Sequence, residues 1–165
     1  MLRLLILRHA KAILAGSGPD FDRALTAEGR SEARKMGALI EERGLKPGFA
    51  AVSPARRAME TWQEVRSNFS TSPFEALEPK IYDASLGALL AIVRKFDDRY
   101  RAALIVGHNP GLEALIVSLT DSALPGKFTT CALAIADFNV ENWDELSAGK
   151  GILTFFVTRA GLPGK

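Results

Sequence analysis

The chain holds two histidines, His9 and His108. Each follows a short apolar run: Leu4-Leu5-Ile6-Leu7 precedes Arg8-His9, and Ala102-Ala103-Leu104-Ile105-Val106 precedes Gly107-His108. If both runs are buried strands, both imidazoles leave their strands at the end where ligands collect in open α/β sheets. A neutral imidazole near pH 7 is a nucleophile and a proton carrier. One histidine at such a place is commonly a satisfied structural residue; two at equivalent places make a site. Arginines reinforce this. Arg8 sits beside His9, and Arg56 and Arg57 follow Ser53-Pro54, a helix start with a capping hydroxyl and a proline in the first helical position. The helix dipole disfavours cations there, unless an anion normally lies at that helix end. Guanidinium groups beside a helix N-terminus form an oxyanion site, with phosphate the natural occupant. Arg56 is expected to face water.

Other chemistries fit less well. Two histidines without a His-x-x-x-His spacing do not complete a zinc site, so no metal ligand set is expected. Cys131, the lone cysteine, reads as a small core residue inside a strand. Walker, Gly-x-Ser-x-Gly and Gly-x-Gly-x-x-Gly motifs are missing, and no organic cofactor is expected.

The elements that must position these residues are readable from hydrophobic periodicity. Strands are predicted at residues 4–7, 49–52, 74–77, 102–106, 131–138 and 152–158, the last two joined by a polar connection holding Trp143. Thr26 caps a helix running to about Arg43 with Gly44 as its stop, and Ser85 caps another with Leu86, Leu89, Leu90, Val93 and Phe96 on one face. The helix after Ser53 carries Ala55, Ala58, Met59, Trp62 and Val65 as its apolar stripe. Asn109-Pro110 repeats the cap-plus-proline start. Buried strands alternating with amphipathic helices predict an α/β fold: a single-domain three-layer sandwich over residues 1–165, with a mainly parallel central sheet and helices on both faces.

Composition agrees. At 165 residues, 47% hydrophobic and 24% charged, the chain can bury a real core, which excludes global disorder. A net charge of +2 argues for neither nucleic acid nor an acidic membrane. No stretch approaches a membrane span, the N-terminal apolar run is too short for a signal core, and the lone cysteine gives no sign of an oxidising compartment. The expected location is the cytoplasm.

Four segments carry a family resemblance. Leu7-Arg8-His9-Ala10-Lys11, Asp22-Arg23-Ala24-Leu25-Thr26-Ala27-Glu28-Gly29, Ser53-Pro54-Ala55-Arg56-Arg57-Ala58-Met59-Glu60-Thr61 and Val106-Gly107-His108-Asn109-Pro110-Gly111 stand in the order of the histidine phosphatase (phosphoglycerate-mutase-like) superfamily. The final part, from Phe128-Thr129-Thr130 to Leu162, is similar to the compact branch that includes bacterial phosphohistidine phosphatases.

The resemblance implies that His9 is the transiently phosphorylated nucleophile, with Arg8, Arg57 and His108 forming the phosphate pocket. Asn109 can add a donor to the substrate or act only as a helix cap. Lys11 is expected to be a solvated loop lysine, and Arg23 to pair with Asp20 or Asp22. A general acid is harder to place. Asp20, Asp22, Glu60 and Asp83 are candidates, and a missing acid would suit a phosphohistidine substrate, whose P–N bond breaks with little help. The expectation is a phosphatase acting on a phosphorylated protein and inhibited by phosphate-like oxyanions. A phosphomonoesterase for small substrates is the alternative among enzymes, and a catalytically silent phosphate-binding module the alternative outside them.

Overall fold

The computed structural model describes residues 1–16 and 18–163. Its centre is strand β1 (Leu2–Arg8), flanked by β4 (Ala102–Gly107) on one side and β5 (Leu133–Phe138) on the other. With β2 (Phe49–Val52), β3 (Phe74–Leu77) and β6 (Gly151–Val157) the sheet runs β3-β2-β4-β1-β5-β6. The first four strands in that order are mutually parallel; β5 and β6 are added antiparallel.

Successive side chains of a strand point to opposite faces, so each strand serves two cores. Leu4 and Ile6 of β1, with Ile105 of β4, pack beneath α3 (Leu86–Val93) and α4 (Gly111–Thr120). Leu5 and Leu7, with Leu104 and Val106, pack against α1 (Ala27–Glu42) and α2 (Arg56–Arg66). Each fully buried Leu or Ile contributes about 1.5–3 kcal/mol. The architecture is the expected α/β three-layer sandwich.

Caps at α1 and α3 match the sequence reading. Thr26 Oγ1 accepts from Gly29 N at 3.0 Å, and Ser85 Oγ from Ala88 N at 3.3 Å. Gly44, at φ +64°, ends α1 in the left-handed region that glycine tolerates. Gly29 has a second role: a Cβ there would stand 2.1 Å from the Lys11 carbonyl oxygen, so its bareness lets α1 close on the loop after His9.

Three local expectations are corrected. The helix after Ser53 begins at Arg56 with Ala55 in the capping position, so Pro54 lies outside it. Helix α4 starts at Gly111, and Asn109 does not cap it. In both cases the polar side chain has a long-range partner that replaces the cap bond. Cys131 precedes β5 in a turn at φ +60°, buried but outside the strand. The polar connection between the last strands buries Trp143 fully, with its indole N–H donating to the Tyr100 carbonyl at 2.9 Å.

Candidate active site

β1 and β4 are paired in register, Arg8 opposite Gly107, so the residues after them emerge side by side at the sheet's C-terminal edge. The backbone of His9 is gripped from both sides. Its N–H donates to Gly107 O at 3.1 Å, and its carbonyl accepts from Cys131 N at 3.0 Å. The imidazole is 7% exposed. Its Nδ1 lies 2.8 Å from the Ala10 carbonyl, which can only accept, so Nδ1 carries the proton and Nε2 keeps its lone pair. Burial is the main reason the His9 pKa falls to about 3, and the charges of His108, Arg57 and Arg8 push the same way. At neutral pH His9 is an uncharged imidazole with a free electron pair.

Arg57, in the first turn of α2, is 5% exposed and donates Nε–H to His9 Nε2 at 3.3 Å. His108 stands with its ring centre 5.2 Å from that of His9. Its Nε2 is 2.7 Å from Ser53 Oγ, which also accepts from Ala55 N at 3.3 Å. The expected capping hydroxyl of Ser53 instead orients an imidazole. Burial is the first cause and the Arg57 charge the second in lowering the His108 pKa to about 4.

Arg8 donates Nη1–H to the Phe128 carbonyl at 2.9 Å, and the same oxygen accepts from Asn109 Nδ2 at 3.1 Å. Asn109 Nδ2 also donates to Glu113 Oε2 at 3.0 Å. Among the described residues, Arg8 Nε, His108 Nδ1, Asn109 Oδ1 and Thr129 Oγ1 are buried without a hydrogen-bond partner. All five sequence-selected residues, Arg8, His9, Arg57, His108 and Asn109, thus lie around one sheet edge.

Of the four carboxylate candidates, the structure brings Asp20 to Arg57. Arg57 Nη2 donates to Asp20 Oδ2 at 3.0 Å, Arg57 Nη1 to the Asp20 carbonyl at 2.7 Å, and the Tyr82 hydroxyl to Oδ2 at 2.8 Å. The Tyr82 bond, then those of Arg23 and Arg57, hold the Asp20 carboxyl at about 2, against the usual 3.8. Glu60 is committed elsewhere, accepting from Leu25 N and pairing with Arg30 and Arg56. Asp22 and Asp83 are exposed. Lys11 is solvent-exposed as expected and pairs at the surface with Glu28, while Arg23 pairs with Asp20 at 2.9 Å. Tyr82 was missed by the sequence reading: nothing local marks a tyrosine that meets Asp20 across 62 positions.

Among the described residues no three His, Cys, Asp or Glu side chains gather to hold a metal ion, and no helix is long and apolar enough to cross a membrane. A surface hollow of about 660 Å³ lies at the β3 edge between Phe49, Phe74, Phe96 and Tyr100, and neither histidine lines it.

Stability should fall in acid. Both histidines titrate below the usual 6.5, so between 6.5 and about 4 the unfolded chain binds protons that the folded chain refuses. The stability is complete above 6.5 and is lost as pH falls, by up to about 1.4 kcal/mol per pH unit for His9. Urea denaturation at pH 7.5 and 5 checks this, with His108→Gln and His9→Gln each expected to flatten the pH dependence. An unchanged slope in both variants would refute it.

The α/β sheet gathers two neutral imidazoles and two arginines at its C-terminal edge, a set of groups with the chemistry to hold an oxyanion. The sequence profile of the histidine phosphatase superfamily (branch 1) matches residues 4–89, more than half of the chain. The chain belongs to that superfamily. It is 29% identical over 161 residues to the uncharacterised protein Rv1276c of Mycobacterium tuberculosis, covering 91% of this chain and 98% of that one. It is 26% identical over 135 residues to the phosphohistidine phosphatase SixA of Escherichia coli, covering 81% and 83%. Among solved structures, SixA from Agrobacterium tumefaciens superposes with TM-score 0.82 at 28% identity over 95% of this chain and 97% of that one.

Proposed function

We propose that this protein is a cytoplasmic phosphatase that removes phosphate from phosphohistidine in a protein substrate, through a phosphohistidine formed on its own His9. One observation carries the choice of substrate. Asp20, the carboxylate that reaches Arg57, is held ionised near 2 and has no proton to give a leaving group at neutral pH. A phosphorylated imidazole needs little such help. When its second ring nitrogen is protonated, the ring takes the P–N electron pair and leaves as neutral imidazole. An alkyl phosphate must expel an alkoxide.

In the first step His9 Nε2 attacks phosphorus while the P–N bond of the substrate breaks. Arg57 and Arg8 meet the negative charge of the transferring group, with the neutral imidazole of His108 beside them as a hydrogen-bonding group. Asn109 adds no donor, because both its amide protons are taken by the Phe128 carbonyl and Glu113. Water then attacks the His9 phosphoryl group, releasing phosphate and restoring the neutral imidazole. The resemblance to SixA of Escherichia coli, which carries the name phosphohistidine phosphatase, supports this reading.

The test is a panel run on exhaustively dialysed protein. A phosphohistidine-bearing protein should be hydrolysed with kcat/KM at least about a hundredfold above sugar phosphates, with a chelator leaving the rate intact. Tungstate or vanadate should compete, and radioactive phosphate should be trapped on the protein in acid-labile form. Equal rates on alkyl phosphates would replace the substrate by a small phosphomonoester. Binding without turnover would make the protein a phosphate-recognising module, and a stoichiometric metal requirement would overturn the mechanism.

A further inference from the structure

The geometry points to Asp20, held by the Tyr82 hydroxyl, as a positioning residue that aims the guanidinium of Arg57 at the phosphoryl group on His9. The inference rests on the phosphatase reading above and assigns a role to a carboxylate that cannot serve as its acid.

A guanidinium is a planar fork of five N–H groups, and a long side chain can present either of two edges. In this site the choice is made. Asp20 takes one proton of Nη1 through its carbonyl at 2.7 Å and one proton of Nη2 through Oδ2 at 3.0 Å. Those two bonds occupy the terminal edge of the fork. What remains is Nε–H, 3.3 Å from His9 Nε2, and the second protons of Nη1 and Nη2. Nε–H faces the atom that bonds phosphorus. Its present contact is long, and an oxygen of a phosphoryl group at Nε2 is a better acceptor.

Asp20 is itself over-determined. Tyr82 donates to Oδ2 at 2.8 Å and Arg23 Nε to Oδ1 at 3.0 Å. The Tyr82 ring stands edge-on to His108, with centres 5.5 Å apart and planes at 89°. One tyrosine therefore touches the orienter of Arg57 and the second imidazole together.

Two other roles for Asp20 predict different behaviour. A general acid would matter more as the leaving group becomes more basic. A plug that competes with phosphate would raise activity when removed, but Asp20 occupies the terminal edge of Arg57 and leaves the Nε proton to His9.

The experiment compares Asp20→Ala, Asp20→Asn and Tyr82→Phe in the full chain, alone and with Arg57→Ala. Thermal unfolding shows that each variant folds. Where Asp20→Ala fails to fold, the isosteric Asp20→Asn carries the test. Asp20→Ala should lower kcat/KM about tenfold on a phosphohistidine protein and on p-nitrophenyl phosphate alike. Tungstate affinity, read by calorimetry, should weaken by a similar factor. Asp20→Asn should recover part of both losses, since its amide oxygen can still accept from Nη2. Tyr82→Phe should lose about threefold. In the Arg57→Ala background, Asp20→Ala should add no further loss, which a merely structural role would not predict. The inference is overturned by any of three results: a loss that steepens with leaving-group basicity, a gain in activity, or a full loss in the absence of Arg57. If the wild-type protein turns over no phosphorylated substrate, the phosphatase reading fails. The tungstate affinity of the Asp20 variants still decides this one, and unchanged affinity rejects it.

Discussion

His9→Ala is expected to leave a folded protein with no phosphatase turnover, a loss of at least about a thousandfold. The fold survives because the backbone at position 9, rather than the imidazole, ties the end of β1 to its neighbours, through Gly107 O and Cys131 N. The side chain itself contacts the Ala10 carbonyl and the Nε of Arg57. Removing it deletes the lone pair that faces the arginine. His108 cannot stand in, because its Nε2 is engaged with Ser53 and its Nδ1 is buried. The measurement is turnover of a phosphohistidine protein together with acid-labile phosphate retained on the variant. Tungstate should still bind, since Arg8, Arg57 and His108 remain. Retained turnover in a folded His9→Ala protein would end the covalent mechanism.

The second large effect separates adjacent arginines. Consecutive helix positions point about 100° apart, and the structure turns Arg57 inward and Arg56 outward. Arg57 is 5% exposed and bonded to His9 and Asp20; Arg56 is exposed and reaches Glu60, four residues on, at 2.9 Å. A surface pair of that kind contributes a few tenths of a kcal/mol. Arg57→Ala should therefore lower kcat/KM about a hundredfold, the scale for removing one preorganised donor from a developing negative charge. Arg56→Ala should change it by less than about twofold. Arg57→Lys should recover little, because an ammonium cannot bond Asp20 and a phosphoryl oxygen through fixed edges. Steady-state kinetics with a melting curve for each variant check the order, and the reverse ranking would place the catalytic arginine at 56.

Much of the fold was legible because its signals are local. The apolar runs that became β1, β2 and β4 are buried on both faces, and the Thr26 and Ser85 hydroxyls cap the helices that follow them. The two misplaced helix caps share one cause. Ser53 and Asn109 have the residue types of helix caps, yet the hydroxyl of Ser53 lies against His108, 55 positions away. The carboxamide of Asn109 reaches the Phe128 carbonyl, 19 positions away. Cap propensity is a local preference of about 0.5–2 kcal/mol, and a buried imidazole or carbonyl seeking a partner is a stronger demand. Arg8, His9 and His108 were readable as a group because strand ends in a parallel sheet converge, and the family resemblance added Arg57 from the helix after β2. The place of Asp20 was not, since a loop carboxylate shows its partner only in three dimensions, and Tyr82 left no local mark at all.

The Phe128 carbonyl, which holds both Arg8 and Asn109, lies just ahead of β5, the strand that covers the free side of β1. During synthesis, a chain that has emerged only through α4 already carries His9, Arg57 and His108. Its first strand would still be an outer one, with unpaired backbone groups, and Arg8 would have no carbonyl to fix it. If the site transfers phosphoryl groups as proposed, its competence arrives late, once residues 128–138 have left the ribosome. A nascent chain would thus expose Arg8 before the strand and carbonyl that fix it are in place.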